Sequence, residues 1–211
     1  MNIVLLNGSP KAKNSASGSV LEELAALCAG HTMETHQLRT RELPAAAVVE
    51  QWTSADALVL AFPLYVDGIP AHLLDCLCQL ESTFRAQQGR GPVVYAIANC
   101  GFFEGGQNRH ALAMVRHWCR RAGLTWGQGM GLGGGGMLVG LRGVPVGQGP
   151  LASFSAALGE LAGNVAAGAG GEDRFVNPGI PRLAYQAAAQ LGWRQQAKTN
   201  GLCPRDLARR W

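Results

Sequence analysis

The sequence predicts an α/β fold: a doubly wound, five-stranded parallel sheet with helices on both faces. Short apolar runs of strand length alternate along the chain with longer stretches in which apolar residues recur at helical spacing. This alternation is typical of parallel strands buried beneath crossover helices. The length of 211 residues agrees with a single domain, since a domain takes about 100–200 residues.

The first three predicted elements are a strand, a helix and a second strand. Asn2–Leu6 is an apolar run and predicts a buried strand. Ser17–Cys28 has its apolar residues at helical spacing, and Gly30 predicts the end of that helix. Thr32–Leu38 is a more polar strand, so we expect it at an edge of the sheet.

The middle of the chain continues the same alternation. Ala45–Trp52 predicts a short helix, because it follows Pro44 and proline favours the start of a helix. Ala57–Phe62 predicts a central strand. Pro70–Phe84 predicts a helix whose apolar residues face inward, and Val93–Ala98 predicts the next strand.

The following segment is unusually rich in glycine. Gln107–Ala122 predicts a helix that ends at Gly123, and Leu124–Met130 predicts a fifth strand despite its glycines. The many glycines of Gly127–Gly149 have no side chains with which to pack. We therefore expect an ordered loop near a ligand or a neighbouring subunit. Pro150–Ala167 predicts a further helix.

The C-terminal part predicts helices without another strand. Gly168–Gly171 predicts a break, after which Pro181–Leu191 and Arg194–Asn200 predict two helical pieces. We therefore expect a domain of residues 1–170 and a helical extension of the same domain at residues 171–211.

Composition excludes several classes of protein. An apolar content of 47% excludes disorder. The net charge of +4 is too small and dispersed to indicate nucleic acid or an anionic membrane as a partner, and the basic stretch Arg182–Arg210 predicts a solvated extension. The longest apolar run, Ala57–Val66, is interrupted by Pro63 and is shorter than the roughly 20 residues of a membrane-spanning helix.

Cysteine and histidine spacing predicts no metal site. The six cysteines form no Cys-x-x-Cys pair, and no carboxylate or cysteine completes a set with the histidines. We expect reduced, mostly buried thiols in a cytoplasmic protein. Cys100 is the exception of interest, since it lies in a predicted ligand-binding loop.

The most informative stretch, Gly8–Gly18, joins the first strand to the first helix. Unpaired N–H groups and the positive dipole end of a helix attract an anion, and the hydroxyls of Ser9, Ser15 and Ser17 add donors for phosphate oxygens. One serine can instead cap the helix, and Ser17 can do both. A nucleotide-triphosphate loop is disfavoured because position 13 is Lys13 and no Gly-Lys-Ser or Gly-Lys-Thr follows.

Two further loops follow predicted strands. Pro63–Pro70 follows the third strand, and Asn99–Phe103 follows the fourth. The carboxyl ends of strands surround the ligand crevice of an open α/β sheet, so phosphate donors beside apolar and aromatic loops indicate a flat phosphorylated ligand. FMN has this shape. Gly131–Gly136 matches a dinucleotide-binding pattern only through its glycine content and lacks the acidic residue expected about 20 positions later.

These loops carry a resemblance to a known family. The sequence resembles the flavodoxin-like NAD(P)H-dependent oxidoreductases, which include FMN reductases, and its ending is similar to a clostridial-type branch. The motifs are Gly8-Ser9-Pro10-Lys11, Asn14-Ser15-Ala16-Ser17, Pro63-Leu64-Tyr65-Val66-Asp67, Ile69-Pro70-Ala71-His72-Leu73 and Asn99-Cys100-Gly101-Phe102, with Asn177-Pro178-Gly179, Gly192-Trp193-Arg194, Ala197-Lys198 and Asn200-Gly201-Leu202 in the ending.

The resemblance implies a strand order of 2-1-3-4-5, a homo-oligomer and an FMN site. It implies that the loop Ser9–Ser17 holds the FMN phosphate and that two loops hold the isoalloxazine ring. The candidate FMN-binding residues are Ser9, Lys11, Asn14, Ser15, Ala16, Ser17, Pro63, Leu64, Tyr65, Val66, Asn99, Cys100, Gly101 and Phe102. A related branch binds an iron–sulfur cluster through cysteines between the second and third strands, but Arg39–Asp56 contains none.

The function implied is an oxidoreductase that transfers hydride from NADPH or NADH to bound FMN. Electrons then pass to a quinone-like, azo, nitro or other small-molecule acceptor, and the cofactor carries the chemistry, so no catalytic side chain is assigned. Asp67 is either a proton relay or an ordinary turn residue before Gly68. The alternative function is a flavodoxin-type electron carrier, which binds FMN without turning over NAD(P)H.

Overall fold

A computed structural model of the chain describes residues 1–140, 151–203 and 205–206, with the side chains of 138–140 left undescribed. The chain divides into two compact units, Met1–Pro178 and Gly179–Trp211. Every strand of the described ranges belongs to the first unit.

The described strands are β1 (Asn2–Asn7), β2 (Thr32–Gln37), β3 (Ala57–Pro63), β4 (Val93–Asn99), β5 (Thr125–Leu132) and β6 (Arg174–Val176). The described helices are α1 (Ala16–Leu27), α2 (Ala46–Thr53), α3 (Ala71–Arg85), α4 (Arg109–Ala122), α5 (Gly135–Gly140), α6 (Ala152–Ala167) and α7 (Arg182–Thr199). A short 3-10 helix, Gly105–Asn108, precedes α4.

The sheet is parallel throughout its described strands and has the order β2-β1-β3-β4-β5-β6. The predicted α/β class is therefore confirmed, and the polar second strand lies at an edge as expected. The reversal of strand order between β1 and β3 places the carboxyl ends of β1, β3 and β4 side by side, which is where ligands bind in open α/β sheets.

The predicted count of five strands is wrong, because the described part of the chain has six. β6 pairs with the end of β5, where Gly131 lies opposite Phe175. Just before β6, the Asp173 carboxylate accepts hydrogen bonds from the Gly129 N–H at 2.9 Å and from Trp126 Nε1 at 3.2 Å. Three half-exposed residues give no strand periodicity, so their pairing depends on these tertiary contacts.

Helices cover both faces of the sheet, as predicted. Along β3, Leu58 and Leu60 pack into a core beneath α2, α3 and α4, whereas Val59 packs into a second core beneath α1 and α6. This alternation follows from the two-residue period of side chains in a strand. Each fully buried leucine contributes about 1.5–3 kcal/mol relative to an exposed one.

The prediction of two helical pieces in the C-terminal part needs correction. Pro181–Leu191 and Arg194–Asn200 are not separate pieces, because α7 runs continuously from Arg182 to Thr199. Glycine at position 192 weakens a helix by about 1 kcal/mol but does not clash with it, so it does not force a break.

The glycine-rich segment Gly127–Gly149 is not one ordered loop. Its first residues belong to β5, and Gly135–Gly140 forms the short helix α5. The remainder of the predicted loop, from residue 141 onwards, lies outside the described residues.

Candidate functional site

A cavity of about 200 Å³ opens at the carboxyl ends of β1, β3 and β4. It is bounded by the loop after β1, the first turn of α1, the ends of β3 and β4 and the start of α5. The lining residues are Ser9, Lys11, Ser15, Ala16, Ser17, Pro63, Leu64, Tyr65, Asn99, Cys100, Gly101, Gly135 and Gly136.

Hydrogen bonds and packing against neighbouring elements fix the position of the loop after β1. The Gly8 N–H donates to the Ala61 carbonyl at 2.8 Å, and His72 Nε2–H donates to the Gly8 carbonyl at 3.1 Å. A Cβ at position 8 would lie 2.5 Å from a methyl carbon of Leu73, so a larger residue here would displace that side chain. Ser9 Oγ then accepts the Lys11 N–H at 3.3 Å.

The N-terminus of α1 faces the cavity. Ser15 is the N-cap, and its Oγ accepts the Gly18 N–H at 3.0 Å, as a capping serine does. The expectation that Ser17 could cap is therefore corrected, because the helix begins at Ala16 and Ser17 lies inside its first turn. Ser17 Oγ instead accepts from the Asn99 side-chain amide at 2.9 Å.

Three buried hydroxyls of this region keep their hydrogens for a ligand. Ser9, Ser15 and Ser17 are each at most 6% exposed, and each accepts an N–H of the protein. Within the described ranges, none of the three donates to a protein acceptor. The backbone N–H groups of Ala16 and Ser17, at the helix start, also have no acceptor among the described residues.

The electrostatics of the lining favour an anion at this end. Lys11 is exposed and supplies a positive charge, and among the described lining residues there is no carboxylate. Hydroxyl donors, free N–H groups and the positive end of the α1 dipole together form the chemistry that binds a phosphate. This end of the cavity can therefore hold a phosphate monoester.

The opposite end is apolar and built by the end of β3. Pro63, Leu64 and Tyr65 line it, and the Leu64 N–H donates to the Asn99 carbonyl at 2.7 Å, which ties β3 to β4. Tyr65 is followed by a tight turn in which it exchanges N–H···O bonds with Gly68 at 3.1 and 3.0 Å. This end can hold a flat apolar ring.

The turn itself contains two strained residues. Val66 has φ 48° and Asp67 has φ 58°, and valine in this left-handed region is unusual because of its branched Cβ. Neither residue lines the cavity, and both are exposed. The geometry of Asp67 is that of a turn residue, which favours the second of its two interpretations.

The loop after β4 is fixed by Cys100 and Asn108. The Cys100 thiol is buried and accepts from Asn108 Nδ2 at 3.4 Å, while the same amide donates to the Leu132 carbonyl at 3.1 Å. Burial is the main reason that the pKa of the Cys100 thiol is raised, so this thiol is protonated at neutral pH. Cys100 therefore acts as a neutral wall residue.

Sequence reasoning predicted most of this lining. Of its fourteen candidate residues, the cavity gathers all except Asn14, Val66 and Phe102. It did not name Gly135 or Gly136, which enter because the Gly135 N–H donates to the Cys100 carbonyl at 2.7 Å. Nor did it name Asn7, a buried amide behind the serines; the only signal was a polar residue at the end of an apolar strand.

Three of the remaining thiols are buried, whereas Cys78 and Cys203 are exposed. Cys28, Cys76 and Cys119 are buried, and burial raises the pKa of each. Within the described ranges, no three His, Cys, Asp or Glu side chains cluster so as to hold a metal ion. None of the described helices combines the length and apolar character needed to cross a bilayer.

Comparison with known proteins places this fold in a family. The sequence model of the family described as having a flavodoxin-like fold matches residues 1–128. The chain belongs to this flavodoxin-like family. No curated protein matches the chain as a relative.

Solved structures share the fold of this flavodoxin-like chain at low sequence identity. An FMN-dependent NADH-azoreductase from Bacillus anthracis, solved with FMN, has a TM-score of 0.56 and 13% identity, over 79% of this chain and 100% of that chain. An NADPH-quinone reductase from P. pentosaceus has a TM-score of 0.56 and 14% identity, over 77% and 98%. RosB, solved with a bound formylated riboflavin phosphate, has a TM-score of 0.60 and 13% identity, over 80% and 78%.

Proposed function

We propose that this chain is an NAD(P)H-dependent oxidoreductase that binds FMN in the cavity at the ends of β1, β3 and β4. One observation carries the proposal: a cradle of anion donors and an apolar slot belong to the same cavity. The names of the structural neighbours support it, since they include an FMN-dependent NADH-azoreductase and an NADPH-quinone reductase.

The residues present fit FMN at both ends. The hydroxyls of Ser9, Ser15 and Ser17 would donate to the phosphate, and the exposed Lys11 ammonium would balance its charge. Pro63, Leu64, Tyr65, Cys100 and Gly101 would hold the ring. Asn14, Val66 and Phe102 remain candidates through the resemblance alone.

When bound, FMN would supply the redox chemistry, accepting hydride from NADPH or NADH and passing electrons to a quinone-like, azo, nitro or other small-molecule acceptor. The protein binds the cofactor, orients it and excludes water from the apolar slot. The neutral Cys100 thiol and the absence of a carboxylate from the described lining keep negative charge away from the ring. The lining would therefore not oppose negative charge on a bound flavin ring.

The competing function is a flavodoxin-type electron carrier. Carriers dock on basic partners through strongly acidic surfaces. The unit Met1–Pro178 contains twelve basic and thirteen acidic residues and is therefore nearly neutral. This balance favours the reductase.

Turnover tests the proposal. FMN-loaded protein is mixed with NADPH or NADH and a simple quinone or azo dye, and loss of nicotinamide absorbance is followed. We expect acceptor-dependent oxidation of at least one nicotinamide, and much lower activity in Ser15→Ala/Ser17→Ala at limiting FMN. The matched control, Ser54→Ala/Ser82→Ala, changes two exposed serines outside the cavity lining. Protein that holds FMN without any turnover would support the carrier.

A homo-oligomer is a further part of this proposal. It rests on the resemblance to the flavodoxin-like oxidoreductases, and Val66 and Phe102 are exposed apolar residues next to the cavity lining that a neighbouring subunit would cover. Light scattering of the purified protein tests this expectation. A monomeric mass at working concentration would contradict it.

A further inference from the structure

Asn7, the last residue of β1, lies directly behind the cavity rather than in its lining. It is 2% exposed, and both ends of its side-chain amide are engaged. Its Oδ1 accepts the Ser9 N–H at 3.0 Å, and its Nδ2 donates to Ser15 Oγ at 3.3 Å. One buried amide thus contacts two of the three serines that face the cavity.

The direction of these bonds determines what Ser15 can offer a ligand. A serine hydroxyl has one hydrogen to donate and two lone pairs that accept. Ser15 Oγ accepts the Gly18 N–H at 3.0 Å and the Asn7 amide at 3.3 Å, so both lone pairs are in use. Its hydrogen must therefore donate, and the side left for it is the cavity.

We propose that Asn7 is a positioning residue which, by aiming the Ser15 hydroxyl hydrogen into the cavity, makes the site select a phosphate monoester over the same ligand without its phosphate. The identity of the ligand as FMN rests on the proposed function. A phosphate dianion presents only acceptors and satisfies the donors of Ser9, Ser15 and Ser17. The primary alcohol of riboflavin brings one oxygen and a hydrogen of its own, so it leaves most of these donors unpaired.

Asn7→Asp separates this role from a merely structural one. The substitution preserves the size of the side chain and leaves an oxygen to accept the Ser9 N–H. It replaces the amide donor with a carboxylate oxygen, so the Ser15 hydrogen turns towards position 7 and away from the cavity. Because the new carboxylate also repels a phosphate, the positioning role is measured by how far the effect of Asn7→Asp depends on the Ser15 hydroxyl.

The experiment measures the affinities of FMN and riboflavin at pH 8 by quenching of flavin fluorescence. It compares wild type, Asn7→Asp, Ser15→Ala and the double variant, so that the coupling of the two positions is obtained. We expect Asn7→Asp to lower the ratio of FMN affinity to riboflavin affinity about tenfold or more, the loss typical of one hydrogen bond to a charged group. In the Ser15→Ala background, the same substitution should lower the ratio several-fold less.

Two further variants serve as a matched control and as a substitute for Asn7→Asp. Asn164→Asp makes the same isosteric change outside the cavity lining and should leave the ratio unchanged. Asn7→Ala, which removes both hydrogen bonds, replaces Asn7→Asp if the latter does not fold. An equal loss for FMN and riboflavin, or an effect on the ratio that is the same with and without the Ser15 hydroxyl, would overturn the assignment.

Inorganic phosphate separates this assignment from the proposed function. Phosphate without flavin should raise the melting temperature of wild type, and this stabilisation should be lost in Asn7→Asp. If wild type binds no flavin but responds to phosphate, and the effect of Asn7→Asp on that response requires the Ser15 hydroxyl, the FMN function fails and the role of Asn7 stands. If flavin binds but neither the ratio of FMN to riboflavin affinity nor the stabilisation by phosphate depends on Asn7, the role of Asn7 fails and the FMN function stands.

Discussion

Serine hydroxyls at one end of the cavity are the main donors for the proposed binding of the FMN phosphate. Ser15 and Ser17 accept N–H groups of the protein and retain their hydrogens for a ligand. Replacing both by alanine removes two hydrogen bonds to a charged group, each of about 1.5–3 kcal/mol. We expect Ser15→Ala/Ser17→Ala to weaken FMN binding at least about a hundredfold.

Equilibrium dialysis with FMN measures this loss, and circular dichroism checks that the double variant folds. Since Ser15 is the N-cap of α1, part of any loss of stability belongs to the helix. If the folded double variant binds FMN as tightly as wild type does, this loop does not bind the phosphate.

Val66 stores local strain beside the cavity. Its φ of 48° brings the branched Cβ too close to the backbone, while the side chain itself is fully exposed and packs against nothing. Asparagine tolerates this conformation, so Val66→Asn should raise the free energy of unfolding by about 1 kcal/mol. Urea denaturation measures the change, and a decrease in stability would show that the turn does not carry this strain.

Sequence patterns predicted residues that sit in loops but not the residues behind them. The serines, Pro63 and Asn99 were identifiable because polar or rigid residues follow apolar strands. Asn7 also follows an apolar run, but its role depends on the loop folding back over it. The entry of Gly135 into the cavity depends on a backbone bond to Cys100, a contact that no local pattern encodes.

At the scale of elements, Tyr95 joins the sheet to the end of α6. Its hydroxyl on β4 donates to the carbonyls of Asn164 at 2.9 Å and Ala169 at 2.8 Å. Burial raises the pKa of Tyr95 from 10 to about 12. The neutral phenol is thus favoured in the folded state, and the stability this contributes is present below pH 10 and lost as pH rises towards 12.

Tyr95→Phe tests this connection. The variant leaves the Ala169 carbonyl without the hydroxyl donor, while the Asn164 carbonyl keeps the Ala169 N–H at 2.9 Å, so we expect a loss of about 1–3 kcal/mol at neutral pH. The difference in unfolding free energy between wild type and Tyr95→Phe should narrow as the pH rises from 10 towards 12. Urea titrations at several pH values measure it, and a constant difference over that range would contradict the raised pKa.

The glycines of β5 allow close packing against neighbouring backbone. A Cβ at Gly131 would lie 2.7 Å from Phe175 Cδ1 and 2.8 Å from the Gly105 carbonyl oxygen. Gly131→Ala should therefore lower stability by about 1–3 kcal/mol through overpacking. The matched control is Gly163→Ala in α6, where a Cβ meets nothing within 4 Å and should raise stability by about 0.5–1 kcal/mol. Equal effects of the two substitutions would contradict this packing.

Elements with a strong apolar period were predictable, and elements formed by tertiary contacts were not. β1, β3 and β4 are continuous apolar runs, and their positions follow directly from the sequence. β6 has three residues and too little sequence pattern to be predicted, and its pairing is supported by the hydrogen bond from the Gly129 N–H of β5 to Asp173. α7 runs through Gly192, between the two helical pieces that the sequence predicts, since a glycine weakens a helix but does not have to end it.

At the scale of the whole molecule, charge is distributed unequally. Residues 179–211 contain six basic residues and one acidic residue, whereas Met1–Pro178 is nearly neutral. Every lining residue of the cavity belongs to the first unit. We expect a protein ending at Pro178 to bind FMN with nearly the affinity of the full chain, measured by fluorescence quenching. A folded truncation that no longer binds FMN would place part of the site in residues 179–211.

The central claim is that bound FMN accepts hydride from a nicotinamide in this cavity. An anaerobic titration of the FMN-loaded protein with NADPH, and separately with NADH, tests it through the visible absorbance of oxidised flavin. We predict stoichiometric bleaching by at least one of the two nucleotides. A protein that stays yellow with both and is reduced only by dithionite would contradict the claim and identify an electron carrier.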